Sequence, residues 1–253
     1  MTTTLEHAHL REIAEDGARR LGPDATADEL LAWTADTFGT DFIIAANMQD
    51  AVLIDVASKA IQASRVDSAR SQARGAGHGE KLKVLFLDTG YHFVETIGTR
   101  DAVVSVYDLD LVNVEPEQTV AQQDSLLGKD LFARDPAECC RLRKVVPLKA
   151  SLAPYRAWVT GIRRVEAPTR ANAPLISFDE GFGLVKINPL AAWTDEQFQD
   201  YIDANGVLVN PLVDDGYPSI GCEPCTAKPA PGADPRSGRW AGSAKTECGL
   251  HVS

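Results

Sequence analysis

The apolar positions of this chain fall into two kinds of run. Phe42-Ile43-Ile44-Ala45-Ala46 and residues 82–87 are short, continuous and strongly apolar, the pattern of strands buried on both faces. Residues 112–114, 155–160 and 185–187 read as three further strands. After the first run the spacing changes, and Ala51, Val52, Leu53, Ile54, Val56 and Ala57 recur as on a helix. Two more helix starts are marked by capping boxes, in which a threonine hydroxyl and a Glu or Gln three residues on satisfy free backbone N–H groups. Thr26 with Glu29 opens a helix through Leu30, Leu31 and Trp33, and Thr194 with Gln197 opens one toward Ile202. Residues 71–80 are Gly-rich and polar and predict a surface loop, and beyond Pro211 the chain turns to Gly, Pro and polar residues.

Apolar strands alternating with amphipathic helices predict an α/β fold, a parallel twisted sheet with helices on both faces. Such sheets bind ligands at the carboxyl ends of their strands. The strand-end segments 46–50, 88–90 and 161–164 are therefore expected to converge on one crevice. The polar turn Asn47-Met48-Gln49-Asp50 opens a helix and offers backbone N–H groups to an anion. Neither G-x-x-x-x-G-K-[ST] nor G-x-G-x-x-G occurs, so an anion site here is of another kind.

Length and charge narrow the function classes. With 253 residues the chain can bury a core as one α/β domain or as a domain with an appendage. No apolar run is long enough for a membrane span, and the N-terminus lacks a charged start followed by an apolar stretch, so the expectation is a cytoplasmic protein. A net charge of −11 argues against nucleic acid or anionic membranes as partners. The charge is uneven, however. Residues 136–170 carry eight Lys or Arg against Glu138 and Glu166, a local balance of +6 that suits a solvated surface or a small polyanion.

The five cysteines sort into an adjacent pair, Cys139-Cys140, a C-x-x-C at Cys222 and Cys225, and a singleton, Cys248. An odd number in a cytosolic chain does not make a disulfide framework. Four thiolates can hold a [4Fe–4S] cluster or a tetrahedral zinc. Adjacent cysteines suit a single ion poorly, because neighbouring helical side chains point about 100° apart. A cubane is wider and offers separate iron corners. A zinc knuckle, a redox C-x-x-C and buried thiols remain open on spacing alone. Cys248 sits in Glu247-Cys248-Gly249-Leu250-His251, near the chain's end, where a thiol near Lys245, Arg236, Arg239 or His251 could ionise and react, or be incidental.

Taken together, ordered blocks of this chain resemble the assimilatory adenylyl-sulfate reductases of the PAPS/APS reductase family, iron–sulfur type. The blocks are Asn47-Met48-Gln49-Asp50-Ala51-Val52-Leu53, Leu85-Phe86-Leu87-Asp88-Thr89-Gly90-Tyr91-His92 and Glu138-Cys139-Cys140-Arg141-Leu142-Arg143-Lys144. Further along stand Trp158-Val159-Thr160-Gly161-Ile162-Arg163-Arg164 with Thr169-Arg170, then Ile220-Gly221-Cys222-Glu223-Pro224-Cys225-Thr226, then the pentapeptide of Cys248. The resemblance implies an adenine-nucleotide α-hydrolase-like fold in residues 41–212, after an N-terminal helical segment 1–40. Residues 213–253 then form a C-terminal segment with a mobile tail. It implies a [4Fe–4S] cluster on Cys139, Cys140, Cys222 and Cys225, and Cys248 as the catalytic nucleophile toward adenylyl sulfate. It further implies a thiosulfonate on Cys248, released as sulfite by thioredoxin. Asn47, Gln49, Asp50, Leu87, Lys144, Gly161, Arg163, Arg170, Arg236, Arg239 and His251 match positions expected to bind substrate. Homo-oligomerisation is left open.

Two positions depart from the family's pattern: Ala46 where a serine is usual, and Val165 where an acidic residue is common. Three other readings compete. A 3′-phosphoadenylyl-sulfate reductase would share the fold; the two cysteine pairs, by resemblance, favour adenylyl sulfate. A tRNA-thiolating pyrophosphatase would need an S-G-G-x-D-S loop, which is missing. A zinc-knuckle interaction module would be colourless and hold zinc.

Overall fold

Alternation within the apolar runs decides how the sheet divides the core. Ile43, Leu85 and Trp158 point to one face, with Leu148 and Leu152 packed on them. Their neighbours Ile44, Val84, Phe86, Ala157 and Val159 point to the other, under the larger cluster that includes Leu30, Leu31, Val52 and Ile54. Period-two alternation of residues that are all apolar is what a strand covered on both faces requires.

The computed structural model describes residues 2–71, 81–241 and 245. Six strands, β1 (Phe42–Ala45), β2 (Lys83–Leu87), β3 (Asp110–Val114), β4 (Ala157–Thr160), β5 (Ile176–Asp179) and β6 (Leu184–Ile187), form one sheet. Their order is β3-β2-β1-β4-β6-β5. All neighbours run parallel except β5, which pairs antiparallel with β6 at the edge. The parallel sheet expected from sequence forms, with one antiparallel edge strand, β5, added to it. Residues 180–183 are too few for a crossover, so the chain returns as a hairpin, with Asp179 Oδ1 accepting from the N–H groups of Gly181 and Phe182.

Helix α1 (Thr2–Leu21) lies against β5 and β6, and α2 (Ala27–Phe38) against α3 (Val52–Ser71). Both expected capping boxes form, Thr26/Glu29 on α2 and Thr194/Gln197 on α9 (Asp195–Asn205). A third, Thr119/Gln122, opens α5 (Val120–Leu127) after α4 (Val94–Tyr107). The loop expected at residues 71–80 lies outside the described residues from 72 onward. Short helices α6 (Leu131–Arg134) and α7 (Pro136–Cys140) lead into a π-helical turn, Arg141–Val145, and then α8 (Val146–Leu152). Pro147 explains that turn. It has no N–H to donate and its ring would strike the carbonyl four residues back, so the ladder widens and Val146 N–H reaches Arg141 O instead.

Helices α3, α4 and α9 are tied by one buried carboxylate. Asp55 on α3 is 7% exposed and accepts from Tyr201 Oη at 2.6 Å, Tyr107 Oη at 3.2 Å and Lys59 Nζ at 2.6 Å. Three donors repay the desolvation of one charge. Tyr201→Phe removes one of them and is expected to cost about 1–2 kcal/mol. Urea unfolding should show a lower midpoint at an unchanged slope; an unmoved midpoint would mean that α9 is held by its apolar contacts alone.

Candidate active site

The carboxyl ends of β1, β2 and β4 open onto a cavity of about 450 Å³, within the range of small-molecule sites. Ala46, Asn47, Gln49 and Asp50 line it from the turn after β1, Leu87 and Thr89 from the end of β2, and Gly161 to Arg163 from the end of β4. Lys144, Arg170, Arg236 and Arg239 complete its wall. All the described residues expected to bind substrate therefore face one space. His251 and the expected nucleophile Cys248 lie outside the described residues. Asp88 and Arg164 stand apart from the cavity wall: Asp88 pairs with Arg100, and Arg164 Nε donates to Ala173 O.

The turn after β1 is held in an unusual shape. Met48, fully buried, has φ of 60°, a left-handed conformation that costs a non-glycine residue of the order of 1 kcal/mol or more. Asn210 pins it, donating Nδ2–H to Met48 O at 3.2 Å and its own N–H to Gln49 O at 2.9 Å. Gln49 spends its side chain on protein: Oε1 accepts from Ile220 N–H at 2.9 Å and Nε2 donates to Pro218 O at 3.2 Å. Its amide is a strut between the turn and the segment leading to Cys222. Asp50 Oδ1 accepts from Val52 N–H, capping α3. Leu87 O accepts from His92 Nε2 at 2.8 Å, which fixes the imidazole's tautomer, and burial holds that imidazole below its ordinary pKa.

Charges around the cavity come in interleaved signs. Arg163, 9% exposed, donates to Asp195 at 2.8 Å, lies 3.6 Å from Glu166 and stacks on Phe198 at 4.2 Å. Arg170 donates to the same Glu166. Glu166, the residue after Val165, thus pairs with both arginines. Arg236 and Arg239 both reach Ser219 Oγ, at 3.4 and 3.3 Å.

Beside this cavity a second, smaller recess is lined by Cys139, Cys140, Cys222 and Cys225, with Tyr91, Phe132 and Lys144 among its walls. Backbone pairing brings the two halves together. Glu223 N–H donates to Tyr91 O at 2.7 Å, and His92 and Cys222 form an antiparallel bridge. Thr89 Oγ1 is 3.2 Å from Cys222 Sγ. Burial pushes the Cys139 thiol up to about 12, reinforced by Cys140, Cys222 and Cys225, and burial together with Cys222 pushes Cys225 to about 11. Thiols held this way become metal-binding thiolates around a positively charged inorganic core. The donor set fits an iron–sulfur cluster, and the adjacent pair on α7 fits separate iron corners better than one ion.

Comparison with known proteins follows the same lines. A description of the phosphoadenosine phosphosulfate reductase domain matches residues 42–228. The chain belongs to that family. Named adenosine 5′-phosphosulfate reductases from Mycolicibacterium smegmatis and Mycobacteroides abscessus are 66% and 67% identical to it, each over 100% of this chain and 99% and 98% of their own. That of Mycobacterium tuberculosis is 60% identical over 100% of this chain and 98% of its own. Among solved structures, phosphoadenylyl-sulfate reductase from Candida auris, a phosphate complex, superposes with a TM-score of 0.66 at 25% identity, covering 84% of this chain and 95% of that one. The FMN adenylyltransferase of Candida glabrata shares the fold alone, with a TM-score of 0.58 at 12% identity over 89% of this chain and 73% of its own.

Several residues of this family member's site were not singled out by sequence. Arg143 is 3% exposed and donates to Thr89 O at 2.5 Å, Gln123 Oε1 at 3.1 Å and Gln118 O at 3.2 Å, locking the turn that carries Thr89. Its neighbour Lys144 alone of the two reaches both spaces, because the π turn resets which residues face the sheet ends. Thr89 and His92 lay within a motif block without being named as site residues, and Glu166 and Ser219 carried no local signal beyond residue type.

Asp50 generates a pH prediction. Burial is the main cause that raises its carboxyl to about 6, with Glu166 adding to it and the Val52 N–H and Arg163 opposing. It is neutral below that pH and negative above, so the cavity repels anions more as pH rises. Sulfate affinity, followed from about pH 5 to 8 where sulfate's own charge is constant, is expected to fall through about 6 in the native protein. Asp50→Asn should flatten that step; an unchanged profile would assign the step to another group. The same shift makes ionised Asp50 a destabilising group, whose cost is absent below about pH 4 and grows up to about 6.

Proposed function

We propose that this protein reduces adenylyl sulfate to sulfite and AMP, drawing its electrons from reduced thioredoxin. The observation that carries the reading is one shared wall: Lys144 lines both the recess of four cysteines and the cation-rimmed cavity at the strand ends. The full-length similarity to proteins named adenosine 5′-phosphosulfate reductase supports the same substrate.

The chemistry is covalent catalysis in two steps. The thiolate of Cys248 attacks the sulfur of adenylyl sulfate; an S–S bond forms, the S–O bond to the phosphate breaks, and AMP leaves with the electron pair. A thiolate of thioredoxin then attacks Cys248 Sγ, sulfite departs, and thioredoxin's second thiol resolves the mixed disulfide, restoring Cys248. Two electrons pass from the dithiol to the sulfonate, and the partner leaves as its disulfide.

The chain's own residues meet the electrostatic problem of that first step. Nucleophile and substrate are both anions, and Lys144, Arg163, Arg170, Arg236 and Arg239 screen them. Arginine forks bind phosphate and sulfonate oxygens in parallel pairs. Asn47 and the turn before α3 line the cavity beside them, and Leu87 and Gly161 frame the adenosine. Cys139, Cys140, Cys222 and Cys225 would hold a [4Fe–4S] cluster, which supplies a compact charge beside Lys144. Asp50, Glu166 and Asp195 add negative charge to the same cavity, which favours adenylyl sulfate over its more highly charged 3′-phosphorylated analogue.

Sulfur-labelled adenylyl sulfate, supplied anaerobically without thioredoxin, is expected to leave label on Cys248 and free AMP in solution. Thioredoxin should then release the label as sulfite. Cys248→Ser should abolish both label and turnover, a loss of at least about 1,000-fold. Label transferred to the Cys248→Ser protein would refute this nucleophile.

A further inference from the structure

We propose that Ser219 is a substrate-binding residue, its hydroxyl donating a hydrogen bond to the oxyanion that Arg236 and Arg239 draw into the cavity. The inference rests on the reading of the cavity as an adenylyl-sulfate site and adds a contact to it.

Three observations place the hydroxyl. First, Ser219 lines the cavity alongside both arginines. Second, its backbone is fixed from either side, because Gln49 accepts from Ile220 N–H and donates to Pro218 O. Third, Arg236 Nη1 and Arg239 Nη1 both donate to its oxygen, at 3.4 and 3.3 Å. A serine oxygen has two lone pairs and one O–H. With both lone pairs engaged, the remaining capacity is the donor, and among the described residues the hydroxyl donates to none.

The partner of that donor is identified by charge. Two guanidinium groups converge on one neutral oxygen, with Arg239 Nη1 also donating to Ile220 O at 3.1 Å, and their contacts to the serine are longer than the usual 2.7–3.2 Å of an N–H···O bond. A phosphate or sulfonate oxygen would draw them to about 2.7–2.9 Å and would meet the serine proton at the same spot. Gly221 is part of the arrangement. A Cβ there would fall on the guanidinium of Arg239, so a side chain at 221 would push that cation out of the pair. Ala46, which also lines the cavity, offers no hydroxyl, and Ser219 supplies one beside the two arginines.

The test compares affinities of the cluster-loaded protein for adenylyl sulfate and for adenosine, which lacks the oxyanion. Ser219→Ala should weaken adenylyl sulfate about tenfold and leave adenosine unchanged within about twofold. Ser219→Thr keeps the hydroxyl and should stay close to the native affinity. Visible absorbance checks that the neighbouring cysteines are undisturbed. Unchanged affinity for adenylyl sulfate in Ser219→Ala would overturn the proposal. So would an equal loss for both ligands, or an equal loss in the threonine variant, since each marks a purely structural serine. Native protein that binds adenylyl sulfate but yields no sulfite would sink the reductase reading and leave the hydroxyl contact measured; native protein that binds none overturns both.

Discussion

The burial of four cysteine sulfurs side by side is the constraint on which the rest of this structure depends. Two cysteine pairs more than 80 residues apart in sequence meet in a recess, where burial and the neighbouring sulfurs hold the Cys139 and Cys225 thiols far from ionisation. Such a gathering is costly unless a positive inorganic core offsets it. The surrounding chain is arranged to make the meeting unavoidable. The π turn at Arg141–Val145 orients one pair and its lysine, and the Tyr91–Glu223 and His92–Cys222 pairings clamp the other pair against the end of β2.

The same segment that carries the C-x-x-C also walls the larger cavity at the strand ends. Residues 218–221 run between Gln49 on the turn after β1 and Arg239 on the C-terminal segment, and Cys222 follows directly. Sheet topology explains why this is possible. β1 sits between β2 and β4, which come from opposite halves of the chain, and the crevice over β1 is where loops from both halves can meet. Cation wall, β1 turn and cysteine recess are thus neighbours by construction, and Asp195 and Glu166 hold Arg163 and Arg170 in place.

Much of this was legible in sequence wherever the determining interaction is local. The apolar runs at 42–46 and 82–87 and the capping boxes at Thr26 and Thr194 involve neighbours within a few residues, and they form close to where they were read. β5 was not legible, because Ser177 and Asp179 interrupt its apolar pattern and its only strand partner is the other arm of a hairpin. The cysteine pairs could be paired by type, but their convergence is a tertiary fact. Gln49 shows the limit most clearly. Its motif placed it at the cavity, which it lines, but the bonds from its amide to backbone groups 169 and 171 residues away are tertiary and left no local trace. Arg143 and Lys144 are adjacent cations that differ in fate through a helix defect centred on them, which residue type does not reveal.

The central claim is that four sulfurs hold an inorganic core while a separate cation-lined cavity takes the nucleotide. Its most direct test is iron and acid-labile sulfide analysis of anaerobically purified protein, with metal content by mass spectrometry on the same sample. The account predicts a brown protein with about four irons and four sulfides per chain. A colourless protein carrying one zinc and no sulfide would contradict it.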